Sequence, residues 1–187
     1  LLVWTPAYAW GYGWANFLQL CDLAVILTCV GLWRGSPLLL GMSALSSLVI
    51  DVAWDLDLAF RLLTAGHLFG GTEYMWDSRF PLALRLLSLF HVVWPALLLW
   101  SLGRVGYDRR GFPLQIALAS VLLVGSRFAG PALNLNYAFR DPIFHRSFGP
   151  APVHLAVSIL GLAALIYLPA HLGLARLFPR EQLSPSR

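Results

Sequence analysis

Lysine is absent from this 187-residue chain, cysteine and methionine occur twice each, and charged residues make up only 12% of it. A soluble domain carries about 25% charged residues. Half that share cannot keep a particle of this size in water, so an ordinary soluble globule is excluded. The same low polarity excludes a disordered chain. Cys21 and Cys29 alone exclude a disulfide scaffold. Metal-ligand spacings are missing too, since neither H-x-x-x-H nor E-x-x-H occurs. What is abundant is apolar: 58% hydrophobic residues and a mean hydropathy of +0.69. That is the composition of a polytopic membrane protein.

A membrane-spanning helix takes ~20 mostly apolar residues. Five stretches qualify, at about 14–32, 37–56, 80–102, 112–128 and 153–174. Residues 58–69 read as a short amphipathic helix on the outer leaflet, stopped by Gly70-Gly71. The expected fold is therefore all-α: one transmembrane domain over 1–187, a polytopic helix bundle of about five spans plus a short interfacial helix. Leu1 is not a methionine, and the expectation is that the natural chain begins upstream, so no signal peptide is read.

All 13 basic residues are arginine, and the net charge is +4. They stand singly or in short groups at the ends of apolar runs, which excludes a nucleic-acid surface. With five spans, Arg34, Arg104, Arg109, Arg110, Arg176, Arg180 and Arg187 fall on one side. Arg61, Arg79, Arg127, Arg140 and Arg146 fall on the other. The first set crowds the short turns and the tail, where the positive-inside rule counts most. The C-terminus is placed in the cytoplasm and the N-terminus outside. Trp10, Trp14, Trp54 and Trp76 near the outer boundary, and Trp33 and Trp100 near the inner one, fit aromatic belts.

Ionisable groups inside spans are costly and mark candidate sites. Asp22, Asp51, Asp55, Arg85 and His91 all fall in the outer half of their spans. Asp51 and Asp55 are four apart and share a helix face. His91 lies ~13 Å down its helix, near mid-membrane. Pro95, one turn further on, is expected to kink that helix and free a carbonyl. His67, Glu73, Asp77, Asn134, Asn136 and Tyr137 come from loops on the same side. Arg85 either pins two helices by pairing with Asp51 or Asp55, or joins these groups in a catalytic or ligand site. Ser88 is expected to bond its own i−4 carbonyl. His145 and His154 are expected to be solvated or capping. The histidines differ in depth by ~13 Å, which disfavours a bis-His haem. No metal site is assigned, and the cofactor stays open.

Several motifs carry a resemblance: F-L-Q-L-C-D-L, G-L-W-R-G-S-P-L-L-L-G and W-D-L-D between Phe17 and Asp57, then H-L-F-G-G-T-E-Y-M-W-D, S-L-F-H-V-V-W-P-A-L-L-L-W and G-Y-D-R-R. Together they resemble an uncharacterised bacterial family described as membrane-associated proteins. More distantly, His91 followed by Asn136-Tyr137 looks like the YwaF-type integral membrane proteins. Their animal relatives include proposed lipid acyltransferases and hydrolases with an in-membrane histidine. That likeness implies a bacterial inner-membrane location and a role for His91, Asn136 and Tyr137. It departs from the pattern at N-L-N-Y, which lacks the preceding Gly-Thr.

The first reading is a site open to the outer leaflet. His91 is its base, Asp51 and Asp55 orient it, and Arg85, Asn134, Asn136, Tyr137, His67 and Glu73 bind a lipid-like substrate. Membrane lipids are then the partners, and no nucleic acid is involved. The second reading is a non-catalytic subunit of a larger membrane complex, contacting other membrane subunits, pigments or lipids.

Overall fold

The structure is a computed structural model and describes residues 1–179. Arg180 and Arg187, part of the arginine asymmetry, lie outside the described residues. Among the described residues, eight α-helices follow one another: α1 (Trp4–Tyr12), α2 (Leu20–Arg34), α3 (Pro37–Thr64), α4 (Leu82–Leu87), α5 (Phe90–Val105), α6 (Gly111–Ser126), α7 (Ala151–Gly161) and α8 (Leu168–Leu177). No named strand occurs among the described residues; one isolated bridge joins Tyr107 to Pro179. Pro37–Thr64, Leu82–Val105, Gly111–Ala129 and Ala151–Leu177 are each long and apolar enough to cross a membrane. The fold is thus the expected all-helical membrane bundle, with two local differences.

The first expected span does not form as one helix. Its residues split into a 3₁₀ turn, Trp14–Leu18, and the 15-residue α2, with Gln19 extended between them at ψ 136°. A 15-residue helix rises ~22 Å, short of a full crossing. The break is held from outside, because the Asn136 side chain accepts from the Leu20 N–H at 2.8 Å. The second difference concerns 58–69. No breaker separates Leu56 from Thr64, so α3 simply continues to Thr64, and the separate interfacial helix is its last two turns. The helix stops at Ala65, which is left-handed at φ +61°.

α3 is the central pillar and packs against α2, α5 and α6. It starts cleanly: the Ser36 hydroxyl accepts from the Leu39 N–H, and Pro37 occupies the first turn. Gly35, left-handed at φ +57°, closes α2 just before it. Tyr107 lies against Gly41, where a Cβ would come 3.0 Å from the ring.

Polarity is inverted relative to a soluble protein. Exposed faces carry Leu62, Leu63, Val92, Val93, Val121, Phe128, Leu160 and Leu165, whereas Asp22, Ser47, Asp51, His91 and Gln115 are buried. Apolar surface facing lipid with polar groups turned inward is the arrangement a bilayer selects. The bundle has a short-turn end, with Arg34 and Arg104–Arg110, and a long-loop end, with 65–81 and 127–150.

The last crossing contains a π-helical turn, Leu162–Tyr167. Pro169 lacks the N–H that would bond Leu165, and the wider turn ahead of it absorbs that loss.

Candidate functional site

His91 and Asp51 meet. Nδ1 of His91 lies 2.8 Å from Oδ1 of Asp51, joining α5 to α3. Both side chains are nearly sealed, at 9% and 1% exposure. Trp54, one turn beyond Asp51, stacks on the imidazole at 4.8 Å between centroids, and Phe90 stacks at 4.1 Å. The ring is therefore fixed in plane by two aromatics and in rotation by a carboxylate. Its other nitrogen, Nε2, takes no hydrogen bond from the described residues.

The backbone around His91 is distorted for identifiable reasons. Pro95 cannot bond the His91 carbonyl. Upstream, Ser88, Leu89, His91 and Val92 donate to carbonyls three residues back rather than four. This tight stretch separates α4 from α5 and aims His91 at α3.

Two carboxylate atoms on this stretch of α3 have no partner among the described residues. Oδ2 of Asp51 and Oδ1 of Asp55 are buried and lack hydrogen-bond partners among the described residues. Asp55 has Asp51 and His91 as its titratable neighbours. An uncompensated buried polar atom costs ~1–3 kcal/mol, and these two lie one turn apart on the α3 face that meets His91.

A shell of tyrosines lies on the long-loop side. The hydroxyls of Tyr8 and Ser88 are 2.8 Å apart. Ser88 is also the polar neighbour of Tyr12 and Tyr74. Burial pushes the Tyr8, Tyr12 and Tyr74 phenols up, so they stay neutral and remain donors. Asp22, buried on α2, accepts from the Asn16 amide. The i−4 back-bond expected of Ser88 is replaced by this contact to Tyr8. Cys21 is a free thiol and makes no hydrogen bond to His91.

Other expected site residues lie elsewhere, each for a structural reason. Arg85 pairs with neither Asp51 nor Asp55; its Nη1 donates to the Met75 carbonyl at 2.6 Å and holds the 65–81 loop. His67 sits with Asp57, its Nδ1 3.2 Å from Oδ2, and with the Thr72 hydroxyl at 3.1 Å. Glu73 is exposed beside Gly70. Asn134 stays within its own loop, accepting from the N–H groups of Phe139 and Arg140. Asn136 is saturated: beyond Leu20, its amide donates to the Leu18 carbonyl at 2.7 Å and to Ser126 Oγ at 2.9 Å. Tyr137 is 47% exposed, and its carbonyl accepts from His154 Nε2 at 2.9 Å. His154 itself is fully buried rather than solvated, accepting at Nδ1 from the Phe148 N–H.

Asp57 was missing from the expected set, and it organises the H-L-F-G-G-T loop. Its carboxylate accepts from the N–H groups of Leu68, Phe69, Gly70 and Thr72 at 2.6–3.4 Å. Standing two residues past Asp55, it must face another way from the Asp51–Asp55 stripe. The available signal was a carboxylate inside the last two turns of α3, upstream of the Gly70-Gly71 stop. Among the described residues, no three His, Cys, Asp or Glu side chains cluster closely enough to hold a metal ion. Compared with protein-family models, curated proteins and solved structures, the chain matches none of them.

Proposed function

We propose that this integral membrane protein uses the Asp51–His91 pair as a proton-accepting centre for a lipid-like substrate entering from the long-loop side. One observation carries the reading: an imidazole near mid-bundle is oriented through Nδ1 by a buried carboxylate and leaves Nε2 without a hydrogen-bond partner among the described residues. In that geometry Asp51 accepts from Nδ1–H and holds the tautomer, and Nε2 is the base. Asp55 and Oδ2 of Asp51 accept from a substrate hydroxyl or a water. Trp54 and Phe90 limit water beside the ring, which strengthens each electrostatic contact there. The arginine-rich short turns support a cytoplasmic short-turn end, so the substrate comes from the outer leaflet.

The binding step is tested with a photoreactive phospholipid in native-membrane discs, mapping adducts by mass spectrometry. The reading expects adducts on and around Trp54, Phe90 and His91 that fade in Trp54→Ala. Adducts confined to exposed lipid-facing side chains such as Leu160 and Leu165 would contradict it.

A further inference from the structure

Charge is least balanced at the short-turn end. Arg34, Arg104, Arg109, Arg110 and Arg176 stand there with one carboxylate among the described residues, Asp108, which is 2.7 Å from Arg110. Arg34, Arg104 and Arg176 are exposed, and none of them meets a carboxylate among the described residues. Each sits in the last turn of a different helix: Arg34 on α2, Arg104 on α5 and Arg176 on α8. A helix C-terminus carries about half a negative charge. Each guanidinium therefore more than offsets its own helix end, and the three ends together stay net positive by roughly one and a half charges.

Those three helix ends border a cleft of about 590 Å³. Small-molecule sites span ~300–1,000 Å³, so the cleft has room for a polar headgroup. The residues that cap the three helices, Gly35, Gly106 and Phe178, all line it, together with Arg104. The Arg104 guanidinium lies 4.9 Å over the Trp100 ring. Stacking uses its flat face, and the N–H groups at its edge remain the part that recognises phosphate oxygens. Trp100 is 56% exposed, and Leu177, which lines the cleft, is 70% exposed. An aromatic and apolar rim beside unpaired arginines matches the boundary between acyl chains and headgroups. Free phosphate would meet the arginines and leave that rim uncovered. A phospholipid satisfies both, and the excess positive charge favours an anionic headgroup over a zwitterionic one.

We propose that the cleft between the ends of α2, α5 and α8 binds the phosphate headgroup of an anionic phospholipid, with Arg104 as its direct contact. Arg34 and Arg176 add attraction from the two neighbouring helix ends. Arg104 is ~20 Å along α5 from His91. The site is thus distinct from Asp51–His91, and it does not rest on the reading of that pair.

Native mass spectrometry of the full chain with phosphatidylglycerol or phosphatidylcholine of identical acyl chains tests the site. Wild type is expected to hold phosphatidylglycerol about tenfold more tightly. Arg104→Gln should lower that affinity about tenfold, the loss of one charge-assisted contact. Gly103→Leu changes no charge. A Cβ at 103 would lie 3.8 Å from the Phe178 ring, so leucine there fills the cleft and should lower the affinity as well. Leucine is also a better helix former than glycine, so α5 keeps its fold. Arg109→Gln removes the same charge from the same end but outside the cleft lining, and should change the affinity less than about twofold. Equal retention of both lipids by wild type would overturn the site. So would equal losses in Arg104→Gln and Arg109→Gln, which would mean diffuse attraction, or an unchanged affinity in Gly103→Leu. Excess inorganic phosphate should leave the lipid bound; displacement by it would assign the cleft to free phosphate and overturn the lipid.

Discussion

Asp57→Asn separates loop scaffolding from site chemistry, and its cost can be worked from the geometry. The substitution preserves shape but turns one carboxylate oxygen into an NH₂ group. Oδ1 accepts from Leu68 and Phe69 at 2.6 and 2.8 Å and from Gly70 at 3.4 Å. Oδ2 accepts from the Thr72 N–H at 3.0 Å and also meets the Thr72 hydroxyl and His67. The cheaper amide orientation places nitrogen at the Oδ2 position, because the Thr72 hydroxyl and the His67 ring can both become acceptors. The Thr72 N–H cannot adapt, and Thr72 is fully buried. Orphaning it costs ~1–3 kcal/mol. Losing the charge weakens the two short bonds at Oδ1 by a further ~1 kcal/mol. The total of ~2–4 kcal/mol corresponds to roughly 30- to 700-fold faster amide exchange at tenfold per ~1.4 kcal/mol. Hydrogen–deuterium exchange at Leu68, Phe69, Gly70 and Thr72 reads this directly. Exchange within about threefold of wild type would refute the assignment of Asp57 as the organiser of this loop.

Two more predictions concern the long-loop end. Asn136→Ala removes the acceptor for Leu20 and the donors to Leu18 and Ser126. It also leaves an alanine at φ +50°. The expected loss is ~3–5 kcal/mol, seen as a lower melting temperature in detergent; a loss under ~1 kcal/mol would mean the α2 break needs no clamp. Asp141 is buried, which alone would raise its pKa. The N–H groups of Phe144, Arg146 and Ile143 outweigh that and hold it below the usual carboxylate range. A depressed folded-state pKa stabilises at pH above the ordinary Asp value of about 3.9 and is lost as pH falls through the folded value. Exchange protection over 141–146, taken relative to the intrinsic rate at each pH, should therefore fall only below about pH 4, and Asp141→Asn should abolish that loss.

Composition and periodicity made the bundle legible, because ~20-residue apolar runs have few alternatives to crossing a bilayer. Depth grouped Asp51 and His91 with Asp22, Asp55 and Arg85, but which of them meet is set by the packing of α3 on α5. What stayed hidden was set by tertiary contacts. The break at Gln19 depends on Asn136, 117 positions later. Arg85 was expected beside a carboxylate, yet it satisfies a loop carbonyl, a partner with no sequence signature. His154 looked solvated because its partners, the Tyr137 carbonyl and the Phe148 N–H, belong to the backbone. Asn134 and Asn136 are polar residues in a long loop, and such residues serve turns as readily as ligands.

Turnover at His91 is the central claim, and lipid mass spectrometry of cells making wild type, His91→Gln or Asp51→Asn at matched levels tests it most directly. Glutamine keeps a polar side chain of similar reach but offers no basic ring nitrogen, and Asp51→Asn removes the carboxylate that fixes the tautomer. The account predicts a lipid species that changes in abundance with wild type and reverts in both variants. A lipid profile identical across all three proteins, each shown to be folded, would contradict it.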